Sequence, residues 1–151
     1  MEEVQKMKAQ PQILLHQEVS EDRVKNIASA LGLHPSGVFL ETFPDGADFD
    51  LLFDTGYVLV YHFDKGVFRT RLDGFFDDQF LSPSNMIRLS DALETLVCVD
   101  YSVSELQPRF EAYFRGMSYH NVSVSTVEGP DGEPQYESEQ IEQLINKNVP
   151  S

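Results

Sequence analysis

Cysteine is almost missing from this chain: Cys98 is the single one in 151 residues, and tryptophan is absent. One thiol forms neither an internal disulfide nor a Cys-based zinc site, which suits a reducing compartment. Cations are scarce too. Against 25 Asp and Glu stand 11 Lys and Arg, a formal net charge of -14 at pH 7. Nucleic-acid binding draws its affinity from Lys and Arg neutralising phosphates, so this balance argues against direct contact with DNA or RNA. It equally disfavours anionic membrane surfaces. No apolar run approaches the roughly 20 residues that span a bilayer. The segment Met1 to Gln10 is charged and lacks the apolar stretch of an export signal, so the expectation is a cytoplasmic protein.

What the chain does have is core material. Hydrophobic residues make up 41%, with 11 Phe and 6 Tyr, and a domain of this length buries roughly 68–70% of the surface its unfolded chain exposes. The division expected is a flexible N-terminus over residues 1–12, one α+β domain over 13–128, and an acidic linker and tail over 129–151.

Periodicity and turn residues give the elements. Ser20 reads as a helix N-cap followed by Glu21 and Asp22, which favour the positive end of the helix dipole. Val24, Ile27, Ala28 and Leu31 recur at helical spacing, and Gly32 with Pro35 stops the run. From Gly37 the period changes to two. Runs over Val38 to Phe43, Phe49 to Phe53, Tyr57 to Phe63 and Val67 to Leu72 are separated by Gly-containing turns, the signature of an antiparallel meander. Alternation puts Tyr57, Leu59, Tyr61 and Phe63 on one face, expected to be the core side, and leaves the other face wet.

Beyond Ser82-Pro83, the residues Met86, Leu89, Leu93, Leu96 and Val97 predict a second helix. Leu106, Phe110, Tyr113, Phe114 and Met117 predict a third after Ser104, ending near Arg115. Tyr119 to Val127, rich in β-branched residues, predicts a fifth strand. In the tail, Ile141, Leu144 and Ile145 line one short amphipathic helix after Ser138. The fold expected is a four- to five-stranded antiparallel meander with helices on one face, in the order α-β-β-β-β-α-α-β. In helix–strand–helix order, size and charge it resembles the small acidic type III secretion chaperones.

The segment closest to enzyme chemistry is Asp48-Phe49-Asp50. On a strand both carboxylates share one face, where they suit a Mg²⁺ ion for nucleotidyl transfer. The pattern resembles the metal-binding strand of nucleotidyltransferases, and the resemblance implies Asp48 and Asp50 as metal ligands. The partner motif of that family, a Gly-Ser turn opening a helix, has only the reversed Ser36-Gly37 opposite it. No Lys or Arg stands between Lys25 and Lys65 to receive a nucleotide. The histidines His16, His34, His62 and His120 fall in separate elements, with His62 and Asp64 the nearest thing to a metal pair. Cys98 has apolar and acidic neighbours, an environment for a buried residue rather than a nucleophile.

The readings that follow are three. The first is a non-enzymatic module, without catalytic residues or cofactor, that neutralises or chaperones a basic protein partner in the manner of an immunity protein, inhibitor or secretion chaperone. Its contact surface is Glu41, Asp48, Asp50 and Asp54 on the wet face, joined by Asp77 and Asp78 in the Phe-rich connection of Phe75, Phe76 and Phe80. The second is the Mg²⁺-dependent nucleotide enzyme. The third is a regulatory or structural subunit, a homodimer included, docking through Ile141, Leu144 and Ile145.

Overall fold

In a computed structural model, residues 11–28, 37–43, 45–48, 50–51, 57–74, 76, 78–101, 109–129 and 132–147 are described. The strand β1 (Gln12–Leu15) opens them, followed by the helix α1 (Glu21–Ala28) and the strands β2 (Val38–Leu40), β3 (Val58–His62) and β4 (Thr70–Gly74). Next come α2 (Pro83–Leu93), β5 (Val97–Asp100), β6 (Phe110–Phe114), β7 (Met117–Tyr119), β8 (Ser125–Glu128), β9 (Pro134–Glu137) and α3 (Glu139–Lys147). The mixed α+β class expected from sequence is present. The meander is not: seven strands form one mixed sheet in the order β2-β3-β4-β1-β5-β6-β7, and β8 with β9 forms a separate hairpin.

The centre of the large sheet is β1, for which the contiguous Ile13-Leu14-Leu15 is well suited. A strand buried on both faces reads as an unbroken apolar run rather than an alternation. Ile13 and Leu15 join Val58, Val60, Leu72, Val97 and Val99 beneath α1 and α2, where Met86, Leu89 and Leu93 meet them. Leu14 faces the opposite way, with Cys98, Ala112, Phe68, Tyr136 and Ile141. The molecule is therefore layered on both sides of the sheet, helices α1 and α2 on one and the hairpin with α3 on the other. The expected single covered face with a wet reverse is corrected by this second layer.

Local chemistry sets the helix ends. The Arg23 N–H donates to Ser20 Oγ at 3.2 Å, the N-cap read from sequence. Ser82 caps α2 through the Asn85 N–H at 3.4 Å, with Pro83 at the first helical position. The helix stops at Glu94, whose φ of 55° is left-handed. The expected continuation to Val97 is corrected: Leu96 belongs to the second core and Val97 to β5.

Two further elements depart from the sequence reading. Of the strand expected over Phe49 to Phe53, Asp50 and Leu51 lie in a helical turn, and Phe49, Leu52 and Phe53 are outside the described residues. The carboxylate of Asp48 takes the Leu51 N–H at 3.2 Å, a local bond that competes with a strand ladder. β2 and β3 run parallel, and every other pairing in the sheet is antiparallel.

The third helix is corrected as well. Phe110 to Phe114 is a strand paired with β5, turning through Arg115 (φ 50°) and Gly116 (φ 79°) into β7. Two consecutive positive φ values make the primed two-residue hairpin turn. Of the five apolar residues behind that expectation, Phe110, Tyr113 and Phe114 lie in β6, which is buried on both faces, Met117 is exposed in β7, and Leu106 is outside the described residues. Phe110 and Ala112 meet the hairpin layer, and Tyr113 meets the helices. The expected fifth strand over Tyr119 to Val127 is divided between β7 and β8. Between them Asn121 sits at φ 53° and carries the chain from one layer to the other.

Candidate functional site

Strand β3 inverts the expected faces. Val58 and Val60 are the buried pair, while Tyr57, Leu59 and Tyr61 are half-buried on the side away from α1 and α2. Registry extends this half-exposed side across three strands: Phe39 stands beside Leu59, Leu59 beside Asp73, and Tyr61 beside Arg71. Phe43 closes it at the β2 end, with its ring 5.8 Å from Phe39 and 5.0 Å from Tyr57. Both contacts are edge-on, the favourable geometry for aromatic pairs. An aromatic strip thus lies on the sheet next to the hairpin layer.

A charged pair borders the strip. The Arg71 guanidinium donates to both carboxylate oxygens of Asp73, at 3.0 and 3.1 Å, and lies 4.6 Å over the Tyr61 ring. Such a fork is geometrically specific, and here it ties the layers together, because Arg71 also bonds the Tyr136 side chain. Burial lifts the Asp73 carboxyl above its usual range against the pull of Arg71. Burial is the largest influence on Arg71 and opposes its charge, but Asp73 and Tyr136 together outweigh it, so its pKa is raised too. The Tyr61 phenol is raised first by burial and then by Asp73, with the Glu41 carboxylate adding to the effect. Glu41 is exposed and lies just past the edge strand at φ 63°. Its N–H donates to Val60 O at 2.9 Å, which fixes it beside the strip.

Of the surface expected from sequence, Glu41 is at the aromatic strip. Asp48 and Asp50 are exposed on the capped turn rather than on a strand face, which removes the shared-face geometry that the Mg²⁺ reading required. Asp78 is exposed in the turn before α2. Asp54 and Asp77 lie outside the described residues. Phe76 is buried and stacks on Phe80 at 5.2 Å, so these aromatics pack inside the molecule; Phe75 is not described.

Elsewhere, chemistry-bearing side chains are engaged within the fold. The Nδ1–H of His16 donates to Val67 O at 2.6 Å and the Nε2–H of His62 to Val19 O at 2.7 Å. The buried Glu111 carboxylate accepts from Arg109 at 3.1 Å and from the Asn121 N–H at 2.7 Å, with His120 at 3.4 Å. It thereby holds the left-handed Asn121 that passes the chain between layers. His34 is outside the described residues. Among the described residues, no three His, Cys, Asp or Glu side chains converge on a metal position.

Cys98 is buried in β5, and burial pushes its thiol well above the ordinary value, with Asp100 and Glu111 adding to the shift. That disfavours the thiolate a nucleophile requires. A depression of about 540 Å³ has Phe114 and Ile145 in its walls. Its Ser90 and Thr95 hydroxyls are already bonded, to Thr95 O and by the Gln17 N–H. Ile141 is fully buried, and Leu144 and Ile145 pack on the same core, so the apolar side of α3 is used internally. No described helix is long and apolar enough to cross a membrane.

Sequence reasoning missed Phe39, Tyr57, Leu59 and Tyr61 as surface residues. Their alternation was visible, but which side faced inward depended on a layer formed by residues far along the chain. No family model matches this sequence, and neither a curated protein nor a solved structure matches it.

Proposed function

We propose that this chain is a non-enzymatic binding module that caps a basic protein partner through the aromatic strip of β2 and β3. The carrying observation is the strip itself. Phe39, Tyr57, Leu59 and Tyr61 are partly exposed along one sheet face, with Phe43 packed against them and Glu41 and Asp73 beside them. Aromatic anchors with a charged rim are the composition of protein-binding hot spots, and a protein of net charge -14 favours and accelerates encounter with cationic partners. Asp48, Asp50 and Asp78 add exposed negative charge to the surface such a partner approaches. Immunity proteins, inhibitors and secretion chaperones work in this mode.

The test is capture of partners from the native host by wild type and by Leu59→Lys, which places a cation at the centre of the strip. Circular dichroism should confirm that the variant is folded. The expected result is a basic protein retained by wild type and bound at least about tenfold more weakly by the variant, equivalent to ~1.4 kcal/mol. Asp48→Asn/Asp50→Asn should weaken it less and mainly at low salt, as rim charges do. The same partners recovered equally by wild type and Leu59→Lys would remove this surface.

A further inference from the structure

Among the described residues, no strand pairs with the β8 edge of the β8–β9 hairpin. In its turn, the Gly132 N–H donates to Gly129 O at 3.0 Å and the Gly129 N–H to Glu133 O at 2.7 Å, with Gly132 at φ 84°. This is the three-residue hairpin connection, in which the last turn residue is left-handed. The bond from Gly129 to Glu133 also sets the phase of the ladder. The pairs Val127–Gln135 and Ser125–Glu137 exchange hydrogen bonds, and the alternate pairs Thr126–Tyr136 and Glu128–Pro134 turn their backbone groups outward.

On the β9 side the edge is already in use: Tyr136 O takes the Val67 N–H at 2.8 Å, and Pro134 has no N–H to offer a partner. On the β8 side the outward groups belong to Thr126 and Glu128, in a strand whose four residues are all exposed. At the start of that strand, Ser123, Ser125, Glu137 and Glu139 border a depression of about 490 Å³. Two residues farther, on the same face as Ser125, Val127 is 46% exposed.

We infer that β8 takes an extended segment of a cationic partner by strand addition. A Lys or Arg of that segment enters the depression bordered by Glu137 and Glu139, and an apolar side chain two positions along covers Val127. Main-chain bonds supply affinity in this mode and alternate side chains supply specificity. Charge selects the occupant. No Lys or Arg occurs between Arg115 and Lys147, whereas Glu128, Glu133, Glu137, Glu139 and Glu142 do. A second copy of the chain would set these carboxylates against one another. The edge shares no residue with the aromatic strip and does not depend on it.

The probe is a blocked octapeptide of repeated Lys-Thr-Val-Thr, which sets Lys and Val two positions apart on one face, titrated calorimetrically into the full chain at low salt while exchange of the Thr126 and Glu128 amides is followed. Binding with a Kd below about 1 mM and slowed exchange at both amides are expected. Thr126→Pro deletes an outward N–H without touching the ladder to β9, and should weaken binding at least about tenfold, while Thr126→Val binds like wild type. Should the proline variant disturb the hairpin, Glu137→Lys/Glu139→Lys reads the same loss.

No heat at 1 mM peptide, equal affinity of wild type and a folded Thr126→Pro, or equal binding of the same peptide with Glu in place of Lys would each overturn the inference. Dimerisation of the chain that Thr126→Pro abolishes would overturn it in favour of a second copy. Leu59→Lys should bind the peptide like wild type, so that failure of one surface is distinguishable from failure of the other.

Discussion

The side chain of Thr70 shows how much structural work one hydroxyl does in this fold. It is fully buried, accepts the Val19 N–H at 2.8 Å and donates to Gln17 O at 2.9 Å. Both bonds hold the segment between β1 and α1 against β4, and His62 secures the same segment through Val19 O. Thr70→Val keeps the shape and strands the buried Val19 N–H, worth about 1–3 kcal/mol, together with the part-buried Gln17 C=O. Urea unfolding should therefore show a loss of about 2–4 kcal/mol, with Thr70→Ser recovering most of it. At this scale the sequence was partly legible. Ser20 and Ser82 could be recognised as caps because a cap depends on its own neighbours. The role of Thr70 was not legible, because its partners lie more than 50 residues away.

Among elements, α3 is the one whose sequence and setting say different things. Its apolar residues predict a short amphipathic helix, marginal alone, since isolated helices of fewer than about 12–15 residues are barely stable in water. Here it is anchored. Ser138 Oγ accepts the Ile141 N–H at 3.1 Å and donates to Ser123 O, while Ile141 fills the core beside Leu14 and Cys98. Ile141→Ala should lower global stability by about 2–5 kcal/mol, the range for emptying a buried aliphatic site. It should also expose the hairpin layer to amide exchange. A loss below 1 kcal/mol would mean that the helix is a dispensable appendage. The hairpin is fitted as closely: a Cβ on Gly66 would meet Tyr136 O at 2.7 Å, and its φ is 100°.

For the molecule as a whole, buried phenols set the alkaline limit. Tyr113 is pushed up to about 12, by burial first and then by Tyr101 and Glu111; Tyr136 is raised by burial against the pull of Arg71. A raised folded-state value means that the unfolded chain releases its proton first. The stabilisation is fully present below pH 10 and is lost as pH rises toward 12, by at most ~1.4 kcal/mol per pH unit for each retained proton. Stability measured from pH 9 to 12 should fall, and Tyr113→Phe should flatten that fall. An identical slope in both proteins would show that these phenols are already solvated.

Composition and local pattern determined the charge of -14, the single buried-type thiol, the α+β class, the caps of α1 and α2, and most turn positions. These depend on residues adjacent in the chain or on sums over it. Tertiary structure decided which side of β3 is inward, that β6 is a strand, and that Asp48 and Asp50 share no strand face. Those outcomes turn on what covers each surface. Leu14, Cys98 and Ala112 became core because Tyr136 and Ile141 arrive on them from the far end of the chain. Tyr61 and Leu59 stayed half-exposed on that same sheet face, where the aromatic strip now lies. A period of two marks two faces and cannot say which is inside until a second layer is laid on one of them.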